Sequence, residues 1–205
     1  VVDAAEKSPK TGENEMIVEH LYEPELDDLY MLHKFIIDNN RTTILEFGCG
    51  WSSLVMADAL SKNKELFSED IKMLRRNNPF ELHVLDDIQD YLEQAQKKVS
   101  EFGFNNAFFH LSDVEMYEYQ GKLTTRYKII PQVNPDFIYL DGPDQFKVKK
   151  NINGISTRHK DMMPMVCDIL KFEYFYTPGT IIVCDGRAAN AKFLKDHLKR
   201  NWKYI

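Results

Sequence analysis

Ile44-Leu45-Glu46-Phe47-Gly48-Cys49-Gly50-Trp51-Ser52-Ser53 carries an apolar run into an acid, then two glycines one residue apart, then two small hydroxyl residues. The helix-like Leu54-Val55-Met56-Ala57-Asp58-Ala59-Leu60 follows. This order predicts a strand, a tight glycine turn and a helix N-terminus, which brings backbone N–H groups close to a nucleotide-like ligand. Glycine suits the turn because the backbone takes unusual dihedrals and meets the ligand without a Cβ in the way. A dinucleotide site asks for G-x-G-x-x-G with an acid about 20 residues further on. Here Ser53 replaces the third glycine, and the next acid at a strand end, Asp86, comes much later. A nicotinamide cofactor is disfavoured.

Before this stretch, residues 1–14 are polar and aperiodic and read as a flexible tail. Residues 15–40 read as a helical segment packing on the domain, divided by Pro24. The domain proper spans 41–205. A charged helical extension is expected over 61–78, stopped by Pro79. Next come a strand at 81–87, a helix at 88–102 with Gly103 as its cap, and a strand at 107–111 ending in Ser112-Asp113. Residues 114–134 read as an irregular connection, then 137–141 as a strand and 145–163 as a polar, basic loop. A helix over 164–174, a strand over 180–185, a helix over 188–200 and the start of a sixth strand at 202–205 complete the pattern. Strands alternating with helices predict a Rossmann-like, doubly wound, mostly parallel α/β sheet with helices on both faces. The strands end in acids, on the side where such sheets bind ligands.

With 205 residues, 43% of them hydrophobic, the chain can bury one full core. Its net charge of −6 argues against a duplex nucleic-acid partner. Cys49, Cys167 and Cys184 are far apart without C-x-x-C spacing, so they read as reduced thiols. No apolar run reaches the roughly 18 residues that a membrane span needs. No signal peptide is visible, so a cytoplasmic protein is expected, although the sequence begins with Val. A homo-oligomer is compatible with all of this.

Glu46-Phe47-Gly48-Cys49-Gly50 resembles motif I of the class I S-adenosylmethionine-dependent methyltransferases, and the resemblance extends from about Thr42 to Ile205. It implies that the glycines approach the amino-acid end of the cofactor, with Glu46 acting nearby through water or backbone. It implies that Asp86, followed by Tyr91-Leu92-Glu93-Gln94-Ala95, accepts from both ribose hydroxyls, with Asp87 a poorer candidate. Ser112-Asp113 would meet the adenine amine. The implied cofactor-binding set is Glu46, Gly48, Gly50, Ser52, Ser53, Asp86 and Asp113. A carboxylate suits vicinal hydroxyls because it only accepts hydrogen bonds.

Pro135-Asp136-Phe137-Ile138-Tyr139-Leu140-Asp141-Gly142-Pro143 resembles motif IV and lacks the Asn/Asp-Pro-Pro-aromatic signature of nucleobase-amine methyltransferases. It is similar to the small-molecule O-methyltransferase branch, which implies Asp141 beside the transferred methyl group. Some of that branch bind a divalent metal. Asp141 and Asp185 match two of its positions, while Gly186 stands where a third ligand is usual and Asn190 lies one turn on. A metal is not the favoured expectation. A hydroxyl acceptor needs a base, for which His159 is placed by its loop and Asp141 or Asp144 are alternatives. The basic run from Lys147 to Lys160 reads either as a lid for an anionic substrate or as a solvated loop. The family usually closes with an antiparallel hairpin, and the chain stops at its start.

The expectation is methyl transfer from S-adenosylmethionine to an oxygen of a small molecule, such as a sugar or anionic metabolite. One alternative is an aminopropyl transferase on the same sheet, against which the basic loop argues. Another is a non-catalytic nucleoside-binding or interaction module.

Overall fold

The computed structural model describes residues 24–205. The expected tail and the beginning of the 15–40 segment lie outside the described residues. Helix α1 (Leu26–Asp38) leads to strand β1 (Thr43–Phe47), helix α2 (Trp51–Phe67), strand β2 (Glu81–Asp86), helix α3 (Gln89–Glu101) and strand β3 (Ala107–Leu111). Strands β4 (Val114–Tyr119), β5 (Lys122–Tyr127) and β6 (Phe137–Leu140) follow, then helix α4 (Asp168–Lys171), strand β7 (Ile181–Cys184) and helix α5 (Ala188–His197). Five strands form a parallel sheet in the order β3-β2-β1-β6-β7. This is a Rossmann-like α/β arrangement.

Side chains alternate across the sheet. Ile44, Leu82, Val84, Phe137 and Tyr139 pack against Leu32, Ile36, Met56, Leu60, Leu92 and Val99 of α1, α2 and α3. Leu45, Phe47, Leu85, Ile138 and Leu140 face the other way. Burial on both faces makes these strands read as apolar runs.

The second face differs from the expectation of helices alone. It is covered by α5, the short α4, the β4–β5 hairpin and the connection after β6, through Val114, Met116, Tyr127, Val148, Val166, Ile169 and Leu194. The hairpin occupies most of the expected irregular connection at 114–134. Its two-residue turn, Gln120 (φ 50) and Gly121 (φ 77), has positive φ at both positions and so matches the strand twist. The later connection lies along both hairpin edges. Lys149 bridges beside Glu115, and Val166 beside Thr125.

Three expected elements are shorter or absent. Helix α2 ends at Phe67, with only a 3-10 turn at Asp70–Met73 beyond it. The expected helix at 164–174 is a single α turn plus a 3-10 turn at Glu173–Phe175. Residues 202–205 form no strand, because Trp202 Nε1 donates to Glu173 Oε1 (2.9 Å) and its ring packs edge-on against Tyr176.

Candidate functional site

Strand order reverses at β1/β6: from β1 the chain moves outward to β2 and β3, then returns to the other side of β1 for β6 and β7. In open α/β sheets the crevice outside the carboxyl ends at such a switch point is where ligands bind. The turns after β1 and β6 touch there. A Cβ on Gly48 would lie 2.7 Å from the Gly142 nitrogen, and one on Gly142 would lie 2.5 Å from the Gly48 nitrogen. Gly48 also has φ +95. Its glycine is therefore required by the neighbouring turn, and the ligand argument does not need it. Gly50 is different. Its φ of 175 suits any residue, and an added Cβ would meet nothing nearer than Ser52 Oγ at 4.0 Å. The side of the turn at Gly50 is open.

Glu46 is wholly buried and closes the turn from beneath. Ser52 Oγ donates to its Oε1 (2.5 Å) and Ser53 Oγ to its Oε2 (2.6 Å), while Ser53 Oγ accepts from the Gly50 N–H (3.3 Å). Burial pushes the Glu46 carboxyl up to about 8, against the two serine bonds and with Asp141 and Asp86 adding repulsion. The acid and serines of the expected cofactor set thus hold one another.

Asp86 ends β2, buried, with Oδ1 accepting the Ile88 N–H (2.8 Å). Desolvation raises it to about 6, opposed by that bond and by the Cys49 thiol. Cys49 itself is pushed up by burial and by Asp86, Glu46 and Asp141. Asp87 is raised to about 7, first by desolvation and then by Asp86. Its Oδ1 accepts the Asp144 N–H at 3.4 Å, and its Oδ2 is buried without a partner. Asp141 reaches solvent although chain surrounds it, and desolvation with Asp185 and Asp86 raises it to about 6 against the pull of Arg187. Carboxyls from the ends of β1, β2 and β6 therefore converge with little compensating positive charge.

The other expected residues are placed elsewhere or otherwise engaged. Asp113 lies on the surface between Lys128 (2.8 Å) and Lys149, and both lysines hold its carboxyl down to about 2. Ser112 Oγ accepts the Ile129 N–H (2.9 Å). His159 is 59% exposed, and its Nδ1 accepts the Asp161 N–H (3.2 Å). No hydrogen bond joins it to Asp141. Two cations of the basic run are paired: Lys149 with Asp113, and Lys150 with the buried Glu115 (2.6 Å), which Arg126 also meets (2.7 Å).

The metal candidates do not assemble. Asn190 is buried, and its amide clamps Val166 in both directions, accepting its N–H (2.8 Å) and donating to its carbonyl (3.1 Å). Asp185 accepts from Tyr139 OH and does not cap α5, whose N-cap is Arg187. Among the described residues no group of three His, Cys, Asp or Glu side chains is disposed to hold a metal ion. Among them, too, no helix is long and apolar enough to cross a membrane.

No family model matches the chain, and no curated protein matches it. The chemistry rests on the residues themselves. Asp86 retains lone pairs beyond its Ile88 bond, Gly50 leaves space beside the turn, and α2 begins there with its N–H groups. This set offers hydrogen-bond acceptors and donors beside an open turn at the sheet's switch point.

Sequence reasoning passed over Arg187. It donates from Nη2 to the Pro143 carbonyl (2.9 Å), and its Nε and Nη1 are buried without partners. The available signal was its position directly after the strand-end pair Asp185-Gly186. An unmatched buried polar group costs about 1–3 kcal/mol, more if charged, so its retention calls for a reason.

Proposed function

We propose that the chain is an S-adenosylmethionine-dependent methyltransferase of the class I type, acting on an oxygen of a small molecule. The observation that carries the reading is the set of acids at the strand ends, with Arg187 as the one cation acting on Asp141, around an open glycine turn at the sheet's switch point. Asp86 would accept from the ribose hydroxyls, and the Gly50 turn with the start of α2 would lie against the amino-acid end. When bound, the cofactor supplies an activated methyl group on a sulfonium. Because that carbon is already electrophilic, the protein chiefly aligns the reactants. Asp141, accessible and raised to about 6, is the group placed to take the acceptor's hydroxyl proton. His159 and Asp113 are not needed for this assignment, and no metal is invoked.

A non-catalytic nucleoside-binding module is the second reading, favoured by the position of His159 away from Asp141. Equilibrium titration with S-adenosylmethionine and S-adenosylhomocysteine tests the proposal. Saturable micromolar binding supports it. A folded chain that binds neither ligand contradicts both readings. Methyl transfer to any acceptor would then exclude the second.

A further inference from the structure

Seven buried side-chain polar atoms lack a hydrogen-bond partner among the described residues, and four of them belong to Asp87, Tyr127 and Arg187. These three residues come from the turn after β2, the end of β5 and the start of α5. They are also neighbours electrostatically, since the charges of Asp87 and Arg187 both act on the Tyr127 hydroxyl. Buried polar groups in folded proteins are nearly always matched. A concentration of unmatched ones at the ligand end of a sheet points to a polar ligand.

The donor set limits what that ligand is. Arg187 offers donors alone and a permanent positive charge, which acts on Asp141, Cys184 and Tyr127. Among the described residues it makes no ion pair, and one hydrogen bond, to Pro143 O, holds its guanidinium. Its neighbours Gly186, Ala188 and Ala189 are exposed, as is Asp141. A side-chain rotation that gives up the single Pro143 bond presents the guanidinium to the cleft, where an oxyanion satisfies the two idle nitrogens. The carboxyl of Asp87 repels an oxyanion, so the anion's place is at Arg187.

Resting on the transferase reading, we infer that the acceptor is a hydroxylated oxyanion, its carboxylate or phosphate anchored by Arg187 and its hydroxyl presented to Asp141. Within the basic run at 147–160, Lys149 and Lys150 are tied to Asp113 and Glu115.

The test uses the full chain loaded with S-adenosylhomocysteine, its binding measured separately, and labelled with nitrogen-15 arginine. Sodium phosphate, sodium malonate and glycerol are titrated at constant ionic strength while the arginine Nε–H resonances are followed, with Arg187→Lys assigning the Arg187 signal. The expected result is a saturable shift of the Arg187 resonance with phosphate or malonate and none with glycerol. Whichever oxyanion binds more tightly names the anion. Affinity for it falls at least about tenfold in Arg187→Met and recovers in part in Arg187→Lys. An Arg187 resonance unmoved across both oxyanion titrations overturns the inference. So does an unchanged affinity in an Arg187→Met protein that melts cooperatively. If S-adenosylhomocysteine does not bind, the transferase reading fails by itself, and the same titrations of the unloaded chain still decide whether Arg187 binds an oxyanion.

Discussion

Strand β6 is flanked by an aspartate at each end, and the two ends of the sheet treat their acids in opposite ways. At the amino end, Asp136 accepts the Thr42 N–H (3.0 Å), the Thr42 hydroxyl (2.7 Å) and the Thr43 N–H (2.9 Å), with Arg76 at 3.3 Å. At the carboxyl end, Glu46 has two serine hydroxyls and no cation, Asp87 leaves an oxygen unmatched, and Asp141 has only the pull of Arg187. Asp136 and Asp141 share residue type and strand, so neither accounts for the difference between them. A fully matched carboxylate ties strands together. A set of buried carboxyls with little compensating positive charge costs stability, and such sets cluster at functional sites.

The comparison breaks most visibly if the two ends respond alike to mutation. Asp136→Ala strands two backbone N–H groups, a hydroxyl and Arg76, and is expected to cost about 3–5 kcal/mol in urea unfolding. Cofactor affinity of the protein that remains folded should stay within about twofold, because the site is at the other end. Gly48→Ala comes next, at about 2–4 kcal/mol, since alanine resists φ +95 and its Cβ meets the Gly142 nitrogen. Asp86→Ala is expected to lower S-adenosylmethionine affinity about 30- to 100-fold through lost charged hydrogen bonds, with no fall in melting temperature at pH 8. A large loss of stability there would make Asp86 a structural acid like Asp136.

The pH response sharpens the contrast. Glu46 rises from 4.5 to about 8 on folding. Its stabilising protonation is complete below the unfolded value and is lost as pH rises through the folded one. Asp86 and Asp141 act in the same sense toward about 6, and Asp87 toward about 7. The melting temperature should therefore decline from about pH 4.5 to pH 8, and Glu46→Gln should flatten that decline. An unchanged slope in the variant would remove Glu46 from the account. Lys149→Ala is expected to do least, moving the melting temperature by no more than about 2 °C, because its pair with Asp113 is exposed and screened.

Much of the sheet was legible. The runs at 44–47, 82–85 and 137–140 are buried on both faces, and 181–184 is half-buried on both, so they need no partner to be recognised as strands. The carboxyl-end acids were legible for the same reason, because each terminates such a run. The β4–β5 hairpin was missed although Gln120-Gly121 sits between alternating segments; the charged alternation of Val114 to Tyr119 resembled solvated loop. The helix expected over 61–78 is present to Phe67 and gives way to a single 3-10 turn beyond it. Pairing across the fold was the least legible layer. Nothing local in the sequence says that Lys149 and Lys150 are neutralised from β4 and its approach, that Asn190 clamps Val166, or that Arg187 has no acceptor for two of its nitrogens.

On the transferase reading, a cationic nucleoside cofactor completes the acids at the carboxyl end. Calorimetric titration with S-adenosylmethionine at pH 7, in two buffers of different ionisation enthalpy, tests it most directly. Positive charge and ribose hydroxyls beside raised carboxyls lower their affinity for protons, so binding should release protons, and the measured heat should differ between buffers in that sense. Binding without proton release, or none by a cooperatively melting chain, would contradict the account.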